Sequence, residues 1–163
     1  MNINTLADLY LEQLRDMHSC ERQIIKALPK MAKAASHPKL RKAFEGHLDQ
    51  TKVHLERLER ILGDLGKTSG RQVCAAAAGL IEEADEVIGN DGKEEARDAG
   101  LICAAQKVEH YEIAAYGCLR TYASSLDRGN DVKLIEKTLE EEKKSDVALT
   151  KLAIGVINDA AMA

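Results

Sequence analysis

In this chain of 163 residues, the side chains that invite chemistry are Glu21, His54, Glu109, Glu112, Glu142 and Asp146. Each interrupts a stripe of apolar residues spaced three and four apart, which is the spacing of one helix face. The sharpest interruption is in the stripe Ile102, Ala105, Glu109, Glu112, Tyr116, Leu119, Ala123, Leu126. Two carboxylates stand there where a core expects apolar groups. Burying an unpaired carboxylate is costly, so a core stripe that holds two needs a reason.

The other interruptions have the same form. Glu21 is the charged member of Ile3, Leu6, Tyr10, Leu14, Met17, Glu21, Ile24, Leu28, Met31, Ala35. His47, Thr51 and His54 interrupt Leu40, Phe44, Leu58, Ile61, Leu65. Glu142 and Asp146, one turn apart, interrupt Val132, Ile135, Leu139, Leu149, Ala153, Val156. At one level of a core, these acids and the imidazole of His54 would repel one another. Two divalent cations would neutralise most of that charge. Paired ions bridged by carboxylates and completed by imidazole are a known solution inside helical bundles. An oxygen-rich set with one or two His suits iron or manganese better than structural zinc. Glu109 and Glu142 are the best candidates to bridge, and Gln50, four residues before His54, projects to nearly the same side.

Each feature also has a plainer reading. A lone Glu21 is compatible with a side chain that reaches solvent. His47 and His54 are compatible with hydrogen-bonded core or boundary residues. The run Glu140–Lys144 reads as a solvated face, and Asp49, His110 and Glu140 fall off the stripes. Tyr10, Tyr116 and Thr51 read as core filling or as partners of the acids. The coincidence of interruptions near the middle of all the long stripes favours the metal site.

The elements that must position these residues are long helices. The stripes predict helices from about Thr5 to Ser36, Pro38 to Leu65, Lys93 to Leu126 and Asp131 to Ala160. Pro29 is expected to bend the first helix or break its hydrogen-bond ladder. Gly66 reads as a C-terminal cap and Asn90-Asp91-Gly92 as a turn. Residues 72–89 predict a shorter helix crossing between two antiparallel pairs. The fold class is therefore all-α: a four-helix bundle with a helical crossover, one domain over residues 1–163.

Composition agrees. Apolar residues make up 45%, charged residues 31% and aromatics 3%, and proline occurs twice. This favours helices around a sizeable core. The net charge of −4 argues against a nucleic-acid binder. No apolar run approaches the length of a membrane span, and no basic-then-apolar leader is visible, so the expected location is the cytoplasm. The four cysteines, Cys20, Cys74, Cys103 and Cys118, form no CxxC pair and read as buried free thiols.

The chain resembles the YciF-like branch of the ferritin-like superfamily, bacterial proteins associated with stress responses. The resemblance covers nearly the whole chain. It is carried by Glu21-Arg22-Gln23, Ala27-Leu28-Pro29-Lys30-Met31, His47-Leu48 with Thr51 and His54, Glu59, Ala105 to Glu112, and Glu141-Glu142 to Asp146. It implies a ferritin-like four-helix bundle with a di-metal site and a homodimer. The usual ferritin-like pattern puts Glu-x-x-His on the second and fourth helices. Here Thr51 stands at the first such Glu, and Asp146 is taken to stand in for the second His.

The function expected from these readings is a metal-binding, di-iron or di-manganese carboxylate stress protein with oxygen or peroxide chemistry. The alternative is a structural or partner-binding bundle with a structural or vestigial metal site. Iron storage is a third reading, which would need a large shell.

Overall fold

In the computed structural model, which describes residues 3–163, the first helix, α1 (Leu6–Ala34), starts at a capping box. Thr5 Oγ1 accepts from the Asp8 amide at 3.1 Å, and Asp8 Oδ2 accepts from the Thr5 amide at 3.0 Å. Met1 and Asn2, which the expected domain includes, lie outside the described residues. Pro29 does not end α1, which continues for more than a turn beyond it. The chain then turns through 35–37 into α2 (Pro38–Asp64), with Pro38 at the helix start, where its missing N–H costs nothing. Gly66, at φ +63°, ends α2, and the Lys67 amide donates back to the Leu62 carbonyl at 2.9 Å.

The crossover helix α3 (Ala75–Ile88) is capped by Cys74, whose Sγ accepts from the Ala77 amide. Then follow α4 (Glu94–Ser125) and α5 (Gly129–Leu152). The last helix departs from the expected single run to Ala160. It passes through a π-helical turn, Ala153–Ile157, into the short α6 (Asn158–Ala161). The extra residue of a π turn rotates the following face. Ile157 is thereby buried while Val156, the residue on the expected stripe, is only half-buried.

α1 packs along α2, and α4 along α5. The short turns make each pair antiparallel. The pairs meet along an α1–α4 seam and an α2–α5 seam, and α3 lies against α1 and α4. Apolar residues from every long helix form one continuous core. Two buried acids pin its ends. Asp98 of α4 accepts from the Ser36 amide (2.9 Å), the Ser36 hydroxyl (2.7 Å) and the His37 amide (2.8 Å), holding the α1–α2 turn. Asp131 of α5 accepts from Tyr10 of α1 at 2.9 Å and pairs with Arg128.

The cysteines correct one expectation. Cys20 and Cys74 are buried, but Cys103 and Cys118 are exposed. Both of the exposed thiols sit on α4 off its buried stripe, so no core contact requires them.

Candidate metal centre

Because the ligand-bearing stripes lie at mid-helix, antiparallel pairing brings them to one level. Glu21 of α1, His47 and His54 of α2, Glu109 and Glu112 of α4, and Glu142 of α5 converge there, all buried. They form two ion-sized groups, within each of which one potential ligand atom per residue lies within 4.8 Å of the others. One is His47, Glu109, Glu112 and Glu142; the other is Glu21, His54 and Glu142. Glu142 belongs to both. Its Oε1 lies 2.7 Å from His54 Nδ1, and its Oε2 lies 3.9 Å from His47 Nε2.

Neighbouring side chains fix which imidazole nitrogens face the acids. Glu141 is held by Arg57 at 2.5 and 3.1 Å, and its Oε2 is 3.0 Å from His54 Nε2. Burial raises the pKa of Glu141, but the hydrogen bonds and charge of Arg57, together with His54, outweigh it and leave a net lowering. An ionised Glu141 only accepts, so it holds a proton on His54 Nε2, and a neutral His54 would turn a bare Nδ1 to Glu142. Ser145 donates to Glu109 Oε1 at 2.7 Å and lies 3.4 Å from His47 Nδ1. With its own proton spent on Glu109, Ser145 accepts from Nδ1–H. His47 Nε2 therefore turns a lone pair toward Glu109 Oε1, 3.3 Å away.

Protein donors satisfy few of the acid oxygens. Tyr116 donates to Glu21 Oε1. Glu21 Oε2, Glu109 Oε2, both oxygens of Glu112, both of Glu142, and His54 Nδ1 are buried without a hydrogen-bond partner. Orphaned atoms are rare in folded interiors, and a cluster of them facing one another could hold a cation.

The acids' proton affinities show the same strain. Burial, opposed by His54 and reinforced by Glu142, pushes Glu21 up to about 8. Burial, opposed by His47 and reinforced by Glu142, pushes Glu109 up to about 8. Burial raises Glu142 to about 7 and Glu112 well above the ordinary carboxylate range. Burial lowers His47, which favours the neutral imidazole that a metal needs.

Five of the residues expected from sequence are therefore together: Glu21, His54, Glu109, Glu112 and Glu142. Asp146 is not. Its carboxylate accepts from Gln106 at 2.9 Å and lies 3.4 Å from the exposed His110, away from both groups. The reason is angular. Glu142 points inward, and the residue three positions on is Ser145, which faces Glu109, whereas Asp146 leads to the α4–α5 seam. His47 supplies the second imidazole in its place.

The set of four Glu and two His is the usual content of a di-metal bundle, redistributed. α2 gives both imidazoles, two turns apart, and α4 gives Glu-x-x-Glu. Thr51 occupies a Glu position but turns its hydroxyl to the His47 carbonyl at 2.9 Å. With neutral imidazoles, four carboxylates balance two divalent ions. The donors present thus fit such ions in charge and chemistry.

The comparisons agree with this architecture. A family model described as a domain of unknown function, DUF892, matches residues 5–162. The chain belongs to the DUF892 family. Within DUF892, it is similar to Protein YciF of Escherichia coli K12, with 47% identity over 97% of this chain and 96% of that protein. The crystal structure of the E. coli stress protein YciF superposes with a TM-score of 0.92 at 46% identity, covering 96% of this chain and 99% of that one. YcfI from Rhodopseudomonas palustris gives 0.88 at 40% identity, covering 91% and 95%. The DUF892 chain thus has the ferritin-like fold of YciF. Among its described residues, no helix is long and apolar enough to cross a membrane.

Proposed function

We propose that this YciF-like protein is a stress-associated metalloprotein holding two divalent ions, iron or manganese, on Glu21, His47, His54, Glu109, Glu112 and Glu142. The carrying observation is the set of buried carboxylate oxygens without partners, facing two imidazole nitrogens that have given their protons elsewhere. Glu142 belongs to both ion-sized groups and is the residue to bridge them. Glu141, Arg57 and Ser145 orient the imidazoles, and Tyr116 favours the ionised form of Glu21. When bound, such an ion pair supplies Lewis-acid and redox chemistry toward oxygen or peroxide. The same reading takes the protein as a cytoplasmic homodimer, following the family resemblance.

The test is metal content after loading with iron or manganese and gel filtration, followed by peroxide consumption. About two ions per chain and catalytic consumption are expected. Bound ions without turnover would make the centre structural. No bound ions in the folded protein would overturn the proposal. Solution mass by light scattering tests the dimer.

A further inference from the structure

Next to the cluster the bundle is hollow. A cavity of about 410 Å³ is walled by all five helices α1–α5, and His47 and Glu109 form part of its wall. Its volume falls in the range of small-molecule sites, about 300–1,000 Å³. The interior is apolar, with Ile24, Leu28, Met31, Phe44, Ala105 and Leu149 turned to it. Water gains few hydrogen bonds against such walls, so an aliphatic occupant is favoured.

The rim has a different chemistry. Lys42, Gly46 and Gln50 follow one another at four-residue steps on α2, so they line one strip. Lys144 and Ala148 do the same on α5 across the seam. Neither lysine has a hydrogen-bonded or ion-paired partner among the described residues; Lys144 acts only through its charge on Glu140. Glu141 also lines the wall, but its charge is met by Arg57. Gly46 sits in the interior of α2, where glycine weakens a helix. A Cβ built there meets nothing within 4 Å. Alanine would fit sterically and favour the helix, and a longer side chain at this pocket-lining position would extend over the mouth.

We propose that this cavity binds an aliphatic monocarboxylate, chain inward and carboxylate between Lys42 and Lys144. The inner polar wall includes the acid Glu109, which disfavours an anion there, and the cations are at the rim. At ordinary protein packing density the volume accommodates a chain of about ten carbons with room to spare. The inference goes beyond the metal reading and does not require it, since apolar walls and rim lysines are present in either case.

The experiment is isothermal titration calorimetry of the full chain with decanoate and with decyltrimethylammonium, on metal-free and manganese-loaded protein. Decanoate is expected to bind one per chain, with the cationic amphiphile weaker by about tenfold. Gly46→Phe should abolish decanoate binding without lowering the melting temperature, and Gly46→Ala should retain it. Ala148→Trp plugs the mouth from α5 and serves if Gly46→Phe does not fold. Lys42→Glu with Lys144→Glu should reverse the charge preference. No decanoate binding, binding indifferent to both plugs, or equal affinity for the two amphiphiles would overturn the inference. Decanoate binding without metal uptake would sink the metal reading alone, and metal uptake without decanoate binding would sink this one alone.

Discussion

His54 Nδ1 and Glu142 Oε1 lie 2.7 Å apart, yet no hydrogen bond joins them. With the proton of a neutral His54 on Nε2, committed to Glu141, two lone pairs confront each other in the buried cluster. A metal ion there, or protonation of Glu142, would relieve that contact. On the proposed reading, protons on the acids would serve in the metal-free protein and ions would replace them on loading.

Glu142 faces His54 with one oxygen and His47 with the other. Glu142→Ala is therefore expected to remove both ions, while Glu112→Ala leaves Glu21, His54 and Glu142 and removes one. Plasma mass spectrometry of loaded, chelator-washed protein measures this directly. Equal losses in the two variants would contradict the shared role of Glu142.

The raised acids set a pH dependence. Glu21, Glu109 and Glu142 have folded-state pKa values of about 8, 8 and 7 against an ordinary 4.5. The folded metal-free protein then binds more protons than the unfolded chain between these limits, so its stability falls as pH rises through that window. His47, lowered by burial, works in the opposite direction, but it is one group against several. The metal-free protein should melt lower at pH 7.5 than at pH 5.5. Ions bound only by the folded state add about 2.7 kcal/mol at a hundredfold excess over the dissociation constant. Acid weakens their binding, so the gap between loaded and metal-free protein should narrow at pH 5.5. Identical melting temperatures in all four conditions would show the acids to be satisfied without metal.

Tyr116→Phe removes the donor to Glu21 and leaves another buried oxygen unpaired. In loaded protein this should cost about 1–2 kcal/mol by denaturant unfolding. The ring stays, so packing is preserved, and an unchanged midpoint would contradict the assigned contact.

Asp98→Ala takes three donors' partner from the α1–α2 turn. A loss of about 2 kcal/mol or more is expected, with metal stoichiometry retained because the turn lies at the end of the bundle. Loss of metal in a folded variant would couple this turn to the centre.

Glu109, Glu112 and Glu142 were legible because each breaks an otherwise apolar period. His47 lies on the same kind of stripe, but a lone imidazole there is equally compatible with a hydrogen-bonded core residue. Only the convergence of α2 with α4 and α5 shows its Nε2 turned to Glu109. Asp146 shows the limit of periodicity, because steps of three and four both keep a residue near one face. Whether position 145 or 146 points inward depends on the rotation of α5, which no local pattern reports. Glu141 falls in the run that reads as a solvated face, and its pairing with Arg57 spans residues far apart in sequence. The π turn was hidden because Gly155 and its neighbours keep a helical period.

The ligand set is divided evenly along the chain. Glu21, His47 and His54 come from the first hairpin, and Glu109, Glu112 and Glu142 from the second. Each hairpin can form from local contacts early in folding, but each carries only half a binding site. Neither of the two groups is complete until the halves dock across the long 65–93 connection. On the proposed metal reading, capture would therefore be a late event, and a bound ion would clasp the two halves together.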